Sequence, residues 1–131
     1  MITIYHNPDC ETSRNVLKVI HSAGYTPTVI EYIKEGWDPT ELELLLSYAG
    51  LTPRQALRTT KSPAERLGLL DPEVTNDEIF EQMLIHPILV NRPIVCTPLG
   101  IALCRPSETV LKLLDRLPTT NVYKENGELI I

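Results

Sequence analysis

The sequence has no excess of basic residues: Lys plus Arg total 12 against 17 for Asp plus Glu, a formal net charge of -5. That excludes a general field for nucleic acid or anionic lipid, so any anion site must be local. No apolar run approaches membrane-spanning length. The N-terminus meets His6, Asn7, Pro8 and Asp9 after one short strand, without the charged start and apolar stretch of a secretory signal. The expected setting is therefore cytoplasmic, with no membrane and no nucleic acid as partner. Only three cysteines occur, an odd number without paired spacing, which excludes a disulfide framework and suits free thiols in a reducing compartment. There is no glycine-rich phosphate loop, and His6, His21 and His86 do not fall at metal-ligand spacing, so no metal is expected.

What remains is a chain of 131 residues, suited to a single domain over 1–131 with a core of its own. Ile2-Thr3-Ile4-Tyr5 is a β-branched and aromatic run, and Val16, Leu17, Val19 and Ile20 then recur at helical spacing. A helix is expected from about Glu11 to Ala23 with Gly24 as a left-handed cap, then a strand over Thr28 to Tyr32. Two short strands joined by one helix make a parallel, right-handed βαβ crossover. Asp38-Pro39-Thr40-Glu41 signals a helix to Ala49, and Thr52-Pro53, Ser62-Pro63 and Thr75-Asn76-Asp77-Glu78 signal further helical starts, the last ending at His86-Pro87.

After Arg92-Pro93, "IVCTPLGIALC" predicts a hairpin around Pro98-Leu99-Gly100. An amphipathic helix is expected over Ser107 to Leu117, with Leu111, Leu113, Leu114 and Leu117 largely buried. The Asn126-Gly127 signal suits a small terminal hairpin or a docked tail. The order β-α-β, helical insert, β-β-α is that of an α/β thioredoxin-like fold with a mixed sheet. Its core spans about 1–34 and 88–117, and the insert about 35–87.

Cys10 lies at the switch from strand to helix. Unpaired backbone N–H groups and the helix dipole stabilise a thiolate there. Arg14 lies one turn on, Ser13 has a hydroxyl within reach, and His6 is placed to add a donor, while Asp9 and Glu11 oppose ionisation. Free cysteine is commonly packing, but this polar loop context predicts an exposed, reactive sulfur. Cys96 and Cys104 read as core. If the hairpin pairs Thr97 with Ile101, their backbones lie about 7 to 8 Å apart on one face, too far for an easy disulfide.

The same register brings Arg92 and Arg105 out together at the open end of the hairpin, next to the end of the first strand. Arg58, from "RQALRTT", is a third candidate. Guanidinium groups beside a thiolate describe a site where sulfur attacks a small oxyanion. A phosphatase loop fails, because the residue six positions after Cys10 is Val16. A dithiol centre fails too, because Cys10 and Ser13 make Cys-x-x-Ser.

Together "ITIYHNPDCETSRN", "RQALR", "HPILVNRPIV", "TPLG" and "LCRPSE" resemble the glutaredoxin-coupled arsenate reductases from Ile2 to about Leu117. The resemblance implies a cytoplasmic oxidoreductase of arsenic detoxification that reduces arsenate to arsenite. It implies no bound cofactor, glutathione as co-substrate and glutaredoxin as partner. It implies Cys10 as nucleophile, Arg58, Arg92 and Arg105 as oxyanion ligands, and His6, Asn7, Ser13 and Arg14 as support for the thiolate, with Pro93 in cis. Glu11 departs from the glycine of many relatives, and Cys96 from their valine. The competing reading is a non-enzymatic thioredoxin-like redox adaptor or transcriptional regulator. Such a protein would more naturally carry Cys-x-x-Cys and would have no use for three arginines at one opening.

Overall fold

β-branched residues and a helical apolar stripe build the first structural unit from the N-terminus. The computed structural model describes residues 1–131, and these divide into two compact units, 1–31 with 92–131 and 32–91. In the first unit β1 (Thr3–His6), α1 (Glu11–Ser22) and β2 (Thr28–Glu31) form the crossover, with β1 and β2 parallel and His6 beside Glu31. Gly24, with φ of 92°, turns the chain out of α1, a conformation in which a Cβ would be strained. β3 (Ile94–Thr97) and β4 (Gly100–Leu103) complete a sheet of order β2-β1-β3-β4, in which β3 runs antiparallel to both neighbours. This is the mixed sheet of the thioredoxin-like fold.

The hairpin differs from expectation by one residue. Thr97 pairs with Gly100, not Ile101, so the turn is only Pro98-Leu99. The Thr97 hydroxyl explains the tighter turn: it accepts from the Leu99 N–H at 3.1 Å and donates to the Leu113 carbonyl at 2.6 Å. Gly100, with φ of 150°, resumes the ladder at once. A one-residue change of register exchanges the faces of a strand. Cys96 therefore faces Ile101 and is only half-buried, on the face opposite Cys104. The core assignment holds for Cys104 and fails for Cys96.

The expected last α-helix is a 3-10 helix over Ser107–Leu113. Three residues per turn place Ser107, Val110 and Leu113 on one line, and these are its buried residues. Leu114 is buried just beyond, whereas Leu117 is exposed and Leu111 is half-buried. The tail forms a small hairpin. Tyr123 pairs with Leu129, and Asn126 Oδ1 accepts from the Glu128 N–H at 2.9 Å within the turn. Its Val122 and Ile130 join Ile4, Val16, Ile20, Val95 and Cys104 in the core of this unit. Ile130→Ala should therefore lower unfolding free energy by about 2 to 4 kcal/mol. Urea denaturation checks this, and an unchanged midpoint would mean that the tail lies outside the cooperative core.

In the second unit α2 (Tyr32–Glu35) has no start signal and takes Tyr32, the expected last residue of β2, which ends at Glu31, whereas α3 (Pro39–Tyr48), α4 (Pro53–Ala56) and α5 (Asn76–Ile85) start where the capping signals put them. Asp38, Thr52 and Thr75 each accept from the backbone N–H three residues on, and Thr52 with Gln55 completes a capping box. Ser62-Pro63 starts only a series of turns, in which the Ser62 hydroxyl accepts from the Ala64 N–H. Tyr32 stacks on Trp37, with ring centroids 4.9 Å apart, and donates its hydroxyl to the Val90 carbonyl at 3.1 Å. No helix of either unit is long and apolar enough to cross a membrane.

Candidate active site

The end of β1 and the start of α1 are joined by a loop shaped by its own backbone. Cys10 N–H donates to the Asn7 carbonyl at 3.0 Å, and Asn7 Oδ1 accepts from the Asp9 N–H at 2.9 Å. Asn7 therefore fixes the loop that carries the sulfur. Cys10 caps α1 in an extended conformation. Its sulfur makes no side-chain cap bond of ordinary geometry, yet the Ser13 backbone N–H stabilises its charged form.

The loop position predicts exposure, and here the structure differs: Cys10 is 5 % exposed, although Pro8, Asp9 and Glu11 around it are exposed. A guanidinium from the open end of the hairpin lies against it. Arg105 Nη1 donates to Cys10 Sγ at 3.6 Å and to the Arg92 carbonyl at 3.2 Å. Arg92 and Arg105 thus meet just beyond the Ile94–Leu103 pair that ends the ladder. The Arg92–Pro93 bond is cis, as the resemblance implies, and Arg105–Pro106 is cis as well.

Burial of the sulfur opposes ionisation, but the Ser13 N–H, the charges of Arg92 and Arg105 and the Arg105 hydrogen bond together outweigh it. The Cys10 thiol accordingly lies below the ordinary range. Cys104 has burial without any compensating donor, which pushes it up to about 12. One chain thus holds an activated thiol and an inert one. The first unit carries seven acidic and seven basic residues, so no net field of that unit draws an anion in, and the two arginines must do so locally.

His6 and Ser13 support the loop from beneath. Ser13 Oγ lies 2.6 Å from His6 Nδ1 and accepts from the Asn7 N–H at 3.1 Å. Burial lowers the His6 pKa, with Arg14 acting in the same direction and Glu31 opposing, so the imidazole is neutral at neutral pH. Ser13, fully buried, ties β1 to the first turn of α1.

Arg14 is turned elsewhere. Its Nε and Nη2 hold both carboxylate oxygens of Glu125 at 2.7 and 2.9 Å, and its Nη1 donates to the Pro8 carbonyl at 2.8 Å. Glu125, from the terminal hairpin, is a partner that sequence spacing does not reveal. Arg58 belongs to the second unit, where it is 8 % exposed; its Nε donates to the Thr60 carbonyl at 3.1 Å and its N–H to Leu89. That unit also contains a cleft of about 340 Å3 between α3, α4 and α5, and none of the expected site residues lines it.

A thiolate at a helix start under two arginines agrees with the comparison of the whole chain with known families. Residues 5–113 match the ArsC family. The chain belongs to the ArsC family. Among ArsC relatives, an arsenate reductase of Synechocystis sp. is 63 % identical over 131 residues, covering 100 % of this chain and 94 % of that protein. An arsenate reductase of Escherichia coli is 48 % identical over 130 residues, covering 99 % of this chain and 92 % of that protein. The solved arsenate reductase of Vibrio cholerae superposes with a TM-score of 0.80 at 35 % identity, over 86 % of this chain and 97 % of that one. Cys10, Arg58, Arg92 and Arg105 all lie inside the ArsC match, whereas Glu125 lies beyond it.

Proposed function

We propose that this protein is a cytoplasmic arsenate reductase in which Cys10 is the nucleophile, glutathione the co-substrate and glutaredoxin the protein that completes electron delivery. The observation that carries the reading is the Arg105 guanidinium resting 3.6 Å from the Cys10 sulfur at the start of α1. Arg105 and Arg92 are the oxyanion ligands of the first unit. An arriving arsenate oxygen replaces the sulfur as acceptor of the Arg105 N–H, which uncovers the thiolate as the substrate docks. The nearly covered sulfur is thereby kept from other electrophiles until an anion takes its guanidinium.

In the first step the thiolate forms a bond to arsenic, one As–O bond breaks, and the oxygen leaves as water after protonation. Glutathione replaces a second oxygen, again lost as water. A glutaredoxin thiolate then attacks the glutathione sulfur, and the pair of the breaking S–As bond stays on arsenic. As(V) becomes As(III), and glutathione and glutaredoxin are left joined as a disulfide. Water releases arsenite and restores Cys10. In sum, arsenate and two thiols give arsenite, a disulfide and one water. Arg92 and Arg105 offset oxygen charge in the transition state, while Ser13 N–H and the helix start hold the departing and returning thiolate.

A coupled assay with glutathione, glutaredoxin, glutathione reductase and NADPH tests this. The expected result is NADPH oxidation that requires arsenate and all three thiol components. Folded protein showing no oxidation, or oxidation indifferent to arsenate, would overturn the reading.

A further inference from the structure

Arg14 stands one helical turn from Cys10 and carries a full positive charge, yet each of its three guanidinium nitrogens already donates elsewhere. Glu125 takes Nε and Nη2 in a two-pronged pair, and the Pro8 carbonyl takes Nη1. Glu125 is itself held in place, because its N–H donates to Asn15 Oδ1 at 3.0 Å, and the neighbouring Tyr123 carbonyl accepts from Lys18 Nζ at 3.0 Å. The terminal hairpin is thus pinned to α1 at three points, all on the turns that follow the cysteine.

We propose that Glu125 is a positioning residue that holds the Arg14 guanidinium off the Cys10 sulfur and on the Pro8 carbonyl, so that within this unit the thiolate and its oxyanion are left to Arg92 and Arg105. The inference rests on Cys10 as the reacting thiol and deepens that reading. A further cation swung onto the sulfur would ionise it further but make it a weaker nucleophile, since thiolate reactivity falls with basicity. It would also hold the bound anion more tightly in the ground state, which lowers KM without raising kcat. The charged and titratable groups around the sulfur are Arg92 and Arg105 from the hairpin end, Arg14 and Glu11 from α1, Asp9 from the loop, and His6 beneath Ser13. Around Glu125 they are Arg14 and Lys18.

The test is the pH dependence of Cys10 alkylation by iodoacetamide, read by peptide mass, in Glu125→Gln, Arg14→Ala and the double variant, with arsenate kinetics alongside. Gln keeps the shape and one acceptor oxygen at an exposed position, so the fold persists. Glu125→Gln should move the midpoint down by roughly half a pH unit, the scale of one exposed charge. In the Arg14→Ala background the same substitution should move it less than half as far. For arsenate, Glu125→Gln should lower KM with no gain in kcat. A midpoint that stays or rises, or an equal move in both backgrounds, would overturn the inference. Lack of arsenate turnover in the unaltered protein would instead remove the reductase reading, since the alkylation profile needs no arsenate.

Discussion

Cys10→Ser removes arsenate-dependent NADPH oxidation in the coupled assay, a loss of about 10³-fold or more. The hydroxyl nearly matches the thiol in shape and leaves the Asn7 carbonyl bond of the loop intact, because that bond uses the backbone N–H. What disappears is an anionic nucleophile at neutral pH. The stability consequence has a definite sign. The folded-state pKa of Cys10 is depressed, so the thiolate favours the fold fully above the pKa of an unfolded thiol, and the effect is lost as pH falls through the folded value. Any stability advantage of the unaltered protein over Cys10→Ser should thus grow with pH and vanish in acid. Thermal melts across pH check this. Turnover retained by the serine variant would shift the chemistry to another residue.

Arg105→Ala should lower kcat/KM for arsenate by about 10² to 10³-fold, the scale of removing one oriented donor from a developing oxyanion. It should also raise the pH midpoint of Cys10 alkylation, because both its charge and its hydrogen bond hold the thiol down. The two readouts separate its roles: a raised midpoint with unchanged kcat/KM would confine Arg105 to the thiolate, and an unmoved midpoint would contradict the 3.6 Å contact. Cys10 should become more exposed in this variant, since the guanidinium lies against it.

How much of this was legible beforehand depends on the range of the interaction concerned. The crossover, the caps at Asp38, Thr52 and Thr75 and the helix start at Cys10 are local, written within a few residues, and the structure agrees with each. The hairpin register was missed because it turns on a Thr97 hydroxyl bonded to Leu113, sixteen residues away. Leu111 and Leu117 at helical spacing suggested an α-helix, but the residues actually buried repeat every third position, and a short apolar run fits either period. The contact on the Cys10 sulfur comes from Arg105, just beyond the end of β4 and ninety-five residues on. Spacing placed the arginines of the hairpin together, yet it carried no sign that Arg14 is committed to Glu125, more than a hundred residues on.

The Pro98-Leu99 turn acts as a ruler for chemistry at the opposite end of its ribbon. Its two-residue span sets which side of β4 each side chain takes, and the chain that leaves β4 carries Arg105 to the sulfur. A longer turn that shifted this register would leave every reacting group in the polypeptide and still move the guanidinium along the ribbon from its thiolate.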